Sequence, residues 1–179
     1  MAERFYLQGS DQCQLDEVLP RGLMFDANVW LSIGGPFPDK PKRVAAYSAV
    51  YKRALESGAE IFIPQIVAGE FLNRAVVMLA RADGHDGRGK IHAAANYGAW
   101  IKEACDLLHA ILGDHTRLPD GFDALEMEPC YAAAEAGGLE FHDILIASLC
   151  RRNGLTLVTD DADYKGQDIP IITWNQQLS

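Results

Sequence analysis

The sequence predicts an α/β fold in which helices cover both faces of a mainly parallel central sheet, forming a three-layer α/β/α sandwich. Two observations lead to this prediction. Short, β-prone apolar runs alternate with long segments whose apolar residues recur every three to four positions. The chain has 179 residues, 49% of them hydrophobic, which is enough for one domain with a full core.

The first half of the chain predicts two strands and two helices in alternation. The runs "GLMFDANVWL" (22–31) and "AEIFIP" (59–64) are typical of interior strands. Between them, "PKRVAAYSAVYKRALESG" has the apolar spacing of a helix, and Gly58 is the expected stop signal at its end. The segment "QIVAGEFLNRAVVMLARADG" predicts a second long helix directly after the second strand.

The middle of the chain predicts two further helices. A turn is expected at "HDGRG" (85–89), followed by a long helix over 90–113 that ends at Gly113. The segment "HTRLPD" predicts a minor strand. A short helix is expected at "EPCYAAAEAGG", because Pro129 suits a first helical turn and a glycine pair follows.

The C-terminal part predicts one helix and two strands. "FHDILIASLCRRNG" has an acidic residue in its first turn, cationic residues in its last turn and Gly154 beyond them, which is the pattern of a capped helix. The segments "LTLVTDDADY" and "IPIITW" predict the final strands. No internal repeat is visible, so residues 22–179 are interpreted as a single domain and residues 1–21 as an N-terminal extension.

Charge and composition restrict the function. The formal net charge of -9 argues against a protein that holds nucleic acid by general electrostatic attraction. No apolar run reaches the roughly 18 residues of a membrane helix, and the start of the chain lacks a signal-peptide core, so a cytoplasmic protein is expected. The cysteines are widely spread without a CxxC pair, which favours reduced structural thiols; they are Cys13, Cys105, Cys130 and Cys150.

Acidic residues follow or adjoin the predicted strands. In open parallel sheets, ligands bind at the carboxyl ends of the strands. Asp26 interrupts the first apolar run, where an unpaired buried carboxylate would cost several kcal/mol or shift its pKa upward. The other acids have simpler explanations. Asp143 would interact favourably with the dipole of its helix, Asp160 would be a turn residue, and Glu70 would lie on the exposed face of a helix. Asp26 is therefore the strongest candidate for a functional carboxylate.

Taken in order, the segments "LMFDANVWL", "IPQIVAGEFLNR" and "LEFHDILIASLCRRNGLTLVTDDADY" resemble the PIN-domain ribonucleases, whose members include the VapC-type toxins of bacterial toxin-antitoxin pairs. The likeness covers about residues 22–175. It implies that four acids bind metal: Asp26, Glu70, Asp143 and Asp161. Asn28 and Thr159 match polar positions that orient ligands or water. The fourth motif is crowded, because Asp160 and Asp163 compete with Asp161 for the ligand position.

The resemblance also implies the chemistry and the partners. Carboxylates are the preferred ligands of Mg²⁺ or Mn²⁺, and metal-assisted hydrolysis of RNA would leave a 5′-phosphate and a 3′-hydroxyl. A homodimer and a small antitoxin protein are the implied protein partners. RNA would be held locally despite the net acidity, by basic residues on the two helices that follow the first strand: Lys42, Arg43, Arg53 and Arg74, with Lys40, Lys52 and Arg81 nearby.

Two alternatives remain open on the sequence. A haloacid-dehalogenase-like phosphatase also uses an aspartate after its first strand, but it needs a second aspartate at the position of Asn28. A non-catalytic PIN-like module could keep the acids as structural metal ligands while it binds a protein partner.

Overall fold

The computed structural model describes residues 3–7, 12–37, 39–85, 90–137 and 139–178, with the side chains of 12–14 and 124 excepted. Within these residues, six strands form one sheet. They are β1 (Arg4–Tyr6), β2 (Leu23–Phe25), β3 (Ile61–Pro64), β4 (Thr116–Leu118), β5 (Thr156–Val158) and β6 (Ile171–Thr173). The strand order is β1-β6-β5-β2-β3-β4, and every pairing is parallel. The predicted parallel α/β/α architecture is therefore confirmed.

The helices cover this sheet and pack on one another. They are α1 (Gln12–Val18), α2 (Ala27–Gly34), α3 (Pro41–Ser57), α4 (Gln65–Ala82), α5 (Tyr97–Gly113), α6 (Met127–Glu135) and α7 (Phe141–Asn153). Helix α4 packs against α5 and α2, α2 also contacts α3, and α6 packs against α7. Short 3-10 turns complete the chain at 19–21, 91–93, 122–124, 162–164 and 176–178.

Strand β2 is the point where the strand order changes direction. Leu23 pairs with Ile61 of β3 on one side and with Thr156 of β5 on the other. All three residues of β2 are buried, as expected for a strand with covered faces. The chain proceeds from β2 to β3 and β4 on one side, whereas β5 and β6 return on the other side. A crevice at the carboxyl end of β2 is the expected ligand position in such a sheet.

The prediction of a strand over 22–31 is wrong after Phe25. The strand ends there, and Asp26 is the N-cap of α2, since its side chain accepts a hydrogen bond from the backbone N–H of Ala27 at 2.6 Å. Helix α2 is buried on most sides, including Val29, Trp30 and Leu31. The helix is only eight residues long and strongly apolar, and a short apolar run does not distinguish a buried helix from a buried strand.

Two other parts of the chain differ from the sequence-based expectation. The third long helix begins at Tyr97 instead of residue 90, because Ala94 adopts an extended conformation with ψ 143° after a 3-10 turn. The N-terminal segment contributes β1, which pairs in parallel with β6 through Phe5 and Ile172. The segment before residue 22 thus adds an edge strand to the sheet. The turn expected at 85–89 lies mostly outside the described residues.

The other predicted elements are present. Gly58 and Gly154 end α3 and α7 in the left-handed conformation, with φ 70° and 64°, which explains why glycine occupies both positions. Cys105, Cys130 and Cys150 are free thiols, whereas the side chain of Cys13 lies outside the described part. Among the described helices, none is both long and apolar enough to cross a membrane.

Candidate active site

The predicted acids meet at the carboxyl end of the central strands. Asp26 follows β2, and Asp161 follows β5 by three residues. Asp143 lies in the first turn of α7, and Glu70 lies in the second turn of α4, the helix that leaves β3. Helix starts and strand ends therefore contribute to one site, which we call the carboxylate centre: Asp26, Glu70, Asp143 and Asp161.

Asp26 is the most deeply buried member, with 4% of its surface exposed. Its Oδ1 accepts from the backbone of Ala27, and its Oδ2 accepts from the Thr159 hydroxyl at 2.7 Å and from the Asn28 amide at 2.6 Å. Burial raises the pKa of Asp26 to about 7; the charges of Glu70 and Asp143 raise it further, while the bonds from Thr159 and Ala27 oppose the rise.

Asp143 is also buried, with 6% exposed. Its Oδ1 accepts from the Tyr164 hydroxyl at 3.1 Å and lies 3.3 Å from Nε2 of His142. Burial raises the pKa of Asp143, His142 and Tyr164 counteract the rise, and the charges of Asp161 and Glu70 add to it. Asp143 therefore interacts electrostatically with the other three carboxylates, so the four predicted acids lie near one another.

Glu70 has a cationic neighbour. Its Oε1 accepts from Nη1 of Arg74 at 2.8 Å, an i,i+4 pair on α4, and 22% of the Glu70 side chain is exposed. The other three members differ in this respect. Within the described residues, no hydrogen bond or ion pair to Asp26, Asp143 or Asp161 comes from lysine or arginine.

The three aspartates after β5 have different surroundings. Asp160 uses all its polar groups: Oδ2 accepts from Arg43 at 2.6 Å, Oδ1 accepts from Tyr47 at 2.7 Å, its N–H donates to Asn28 and its carbonyl accepts from Asn175. Asp163 is exposed, and its N–H donates to Oδ1 of Asp161 at 3.0 Å. The Asp161 carboxylate accepts that single bond, and its charge is among those that raise the pKa of Asp143.

Asn28 and Thr159 connect the two strand ends. The Asn28 amide donates to Asp26 and, at 3.2 Å, to the Thr159 hydroxyl, while its oxygen accepts from the backbone of Asp160 at 3.1 Å. The Thr159 hydroxyl also accepts from the backbone N–H of Asp161 at 3.1 Å. These bonds fix the turn after β5 relative to Asp26. A second carboxylate at position 28, which the phosphatase alternative needs, is replaced by this amide.

The basic residues proposed to hold RNA are mostly engaged in ion pairs. Arg43 pairs with both Asp160 and Asp39, and Arg53 binds Asp16 through two bonds of 2.7 and 2.5 Å. Arg74 pairs with Glu70 but is 53% exposed. Lys42 is exposed, as is Arg81.

The sequence reasoning missed Tyr47, Tyr164 and His142. Tyr47 is fully buried, and its hydroxyl bridges Asp160, the carbonyl of Thr159 and the N–H of Trp174. Tyr47 lies on the buried face of α3, and a buried tyrosine often has a polar partner. His142 has ligand atoms within 4.8 Å of those of Glu140 and Asp143. Its place beside Asp143 in the sequence was the available signal.

The donor set fits a hard divalent cation. Two buried carboxylates, together with Glu70 and Asp161, offer oxygen ligands of the kind that Mg²⁺ and Mn²⁺ prefer. Buried acids that repel one another and lack a contacting lysine or arginine need another source of positive charge if they are to ionise together. The carboxylates present therefore fit a bound divalent cation.

A cleft of about 800 Å³ opens beside the carboxylate centre. Asp161 lies on its wall, and α2 and α4 form its sides. Its lining combines apolar, amide and arginine side chains, which suits a ligand with both planar apolar and charged parts.

Comparisons with known proteins agree with this geometry. The family model of the PIN domain matches residues 23–169. PAE2754 from Pyrobaculum aerophilum is 19% identical with a TM-score of 0.51, over 88% of this chain and 86% of that one. VapBC2 from Rickettsia felis, solved bound to a DNA fragment from its promoter, is 18% identical with a TM-score of 0.55, over 86% and 98% of the two chains. At these identities the two structures show the fold alone. No curated protein matches the sequence significantly. Because the family model covers most of the chain, the chain belongs to the PIN-domain family.

Proposed function

We propose that this protein is a metal-dependent endoribonuclease that hydrolyses RNA phosphodiester bonds. PIN-domain proteins are generally nucleases that use divalent metal ions. The observation that carries the proposal is the convergence of Asp26, Glu70, Asp143 and Asp161 at the switch point of the sheet, with the pKa of buried Asp26 raised to about 7. Acids in this arrangement are suited to binding cations and poorly suited to packing.

The four carboxylates would hold Mg²⁺ or Mn²⁺. A bound ion of this kind would lower the pKa of a water molecule and would polarise the phosphodiester. The scissile bond is then the one between phosphorus and the 3′ oxygen, so the products carry a 5′-phosphate and a 3′-hydroxyl.

The remaining residues of the site position these ligands. Thr159 and Asn28 orient the Asp26 carboxylate, and the Tyr164 hydroxyl orients Asp143. Asp160 fixes the turn after β5 and is not assigned as a metal ligand, because both of its carboxylate oxygens accept hydrogen bonds, from Arg43 and from Tyr47. Asp161, whose charge acts on Asp143, is assigned as the fourth ligand, and exposed Asp163 as a turn residue. Exposed Arg74 lies beside Glu70, where a phosphate oxygen of the substrate can reach it.

The test is cleavage of a pool of unrelated RNAs by the wild type, Asp26→Asn and Asp163→Asn, with Mg²⁺, with Mn²⁺ and with EDTA. We expect cleavage by the wild type and Asp163→Asn in either metal, and a loss of orders of magnitude in Asp26→Asn with its fold retained. End labelling should detect 5′-phosphates. A wild type that cleaves none of the RNAs in either metal would refute the proposal.

The biological setting that we propose is the toxin of a type II toxin-antitoxin pair. Support comes from the fold shared with VapBC2 of Rickettsia felis, a complex whose solved structure includes promoter DNA. Induced expression in a bacterial host should arrest growth for the wild type and leave growth normal for Asp26→Asn. Co-expression of the reading frame adjacent to the gene should relieve the arrest. Normal growth during wild-type expression, at a protein level equal to that of Asp26→Asn, would contradict the toxin assignment.

A further inference from the structure

Exposed aromatic side chains are concentrated on α6 and its neighbours. Five large apolar side chains of the described residues are exposed, and three of them lie between residues 122 and 141: Phe122, Tyr131 and Phe141, with 62%, 48% and 40% of their surfaces accessible. The rings of Tyr131 on α6 and Phe141 on α7 are near-parallel, with 20° between their planes and 6.5 Å between their centroids. Open aromatic pairs of this kind are typical of interaction surfaces.

The same side of α6 is acidic. Glu128, Tyr131 and Glu135 follow one another at spacings of three and four residues, so their side chains share one face of the helix. All three are exposed, and with Ala132 and Ala134 they line an open hollow of about 340 Å³. Among the described residues, neither glutamate forms an ion pair with lysine or arginine.

We call this region the α6 surface: Glu128, Tyr131, Glu135 and Phe141. Its charge restricts what can occupy it. Residues 120–140 contain six acidic residues and no lysine, arginine or histidine, which gives -6 of the formal charge of -9. Such a surface repels RNA, anionic lipid and a second copy of this acidic chain. It attracts arginine, whose planar guanidinium stacks on aromatic faces and pairs with carboxylates.

We propose that the α6 surface docks a cationic segment of a partner protein in which arginines alternate with apolar side chains. An arginine of the partner stacks on Tyr131 between the carboxylates of Glu128 and Glu135, and an apolar side chain packs against Phe141. None of these four residues is a member of the carboxylate centre. The inference is therefore independent of the proposed ribonuclease function and holds whether or not the protein cleaves RNA.

The first test is binding to defined probes. Three short, labelled amphipathic peptides share the same leucines and differ only at their polar positions, which are all arginine, all glutamine or all glutamate. Fluorescence anisotropy at low salt should show binding of the arginine peptide alone, and added salt should weaken it. Tyr131→Ala should raise the Kd of this peptide roughly 2- to 30-fold, the range for one cation–π contact, whereas Tyr131→Phe should retain the wild-type Kd.

The second test separates the α6 surface from the net charge of the chain. Glu128→Lys should raise the Kd of the arginine peptide at least as much as Tyr131→Ala does, because it places a like charge beside the bound arginine. Glu103→Lys makes the same change at an exposed glutamate of α5 and is the matched control, which should retain most of the affinity. Melting temperatures confirm that each variant is folded.

Several results would overturn the proposal. They are an arginine peptide that binds no better than the glutamine peptide, a Kd that Tyr131→Ala leaves unchanged, and equal losses in Glu128→Lys and Glu103→Lys. An unstructured RNA that binds in EDTA and is lost in Tyr131→Ala would assign the surface to RNA instead. A dimer that Tyr131→Ala dissociates in light scattering would assign it to a second copy of this chain.

Discussion

Removing the Asp26 charge should change how the stability of the metal-free protein depends on pH. In the folded protein, burial raises the pKa of Asp26 from 3.8 to about 7, with Glu70 and Asp143 adding to the rise and Thr159 opposing it. Between these two pH values the unfolded chain has lost the Asp26 proton, whereas the folded protein retains it. The free energy of unfolding must therefore fall as pH rises through this window.

The magnitude follows from the width of the window. At 1.36 kcal/mol per pH unit, a pKa moved from 3.8 to about 7 corresponds to about 4 kcal/mol. Relative to Asp26→Asn, the wild type should lose about this much stability between about pH 4 and pH 7, and little more above it. The substitution also places an NH₂ donor where the Asp26 carboxyl group accepts from Thr159 and Asn28, which costs about 1–2 kcal/mol.

Urea unfolding in EDTA across this range measures the prediction, and the difference between wild type and Asp26→Asn isolates the one group. Asp143, whose pKa is also raised by burial, is present in both proteins, so the effect of its own burial cancels, whereas its repulsion with Asp26 is part of the measured difference. Asp163→Asn, at an exposed position, is the matched control for a change from carboxylate to amide in the same site. A difference between wild type and Asp26→Asn that is flat across this pH range would refute the conclusion that Asp26 is desolvated among like charges.

Three further predictions concern the metal, the turn after β5 and assembly. Millimolar Mn²⁺ should raise the melting temperature of the wild type and of Asp163→Asn, because an ion at a hundred times its Kd adds about 2.7 kcal/mol to the free energy of unfolding. Asp161→Asn should show no such rise. An unchanged wild-type melting temperature would exclude the metal site. Arg43→Gln removes the ion pair with Asp160, so the free energy of unfolding measured in urea should fall by about 1–2 kcal/mol. The kcat should fall with KM unchanged, whereas a role of Arg43 in RNA binding would mean that the substitution raises KM. Arg53→Gln is the control. We expect a homodimer formed through a face of α3 or α4, and light scattering that shows only a monomer at micromolar concentration would contradict it.

The sequence determined the fold class because its strongest signals are local. Apolar runs followed by helical spacing predicted β3, α3, α4, α7, β5 and β6, and glycines that need a positive φ marked the ends of α3 and α7. The four acids could be named from their motif positions. Their meeting at one edge follows from the rule that parallel strands end on the same side.

Other features depended on tertiary context and could not be read from the sequence. Residues 27–31 form a helix where a strand was predicted, and the sequence was ambiguous there because a short apolar run is compatible with either a buried helix or a buried strand. The different environments of Asp160, Asp161 and Asp163 depend on Arg43 and Tyr47, which lie more than a hundred residues away in the chain. Arg43 was assigned to RNA from its charge alone, but an ion pair depends on which carboxylate the fold places within reach. Local sequence patterns predicted most of the secondary structure, whereas pairing, burial and the raised pKa of Asp26 are set by long-range contacts that form only when the chain is folded.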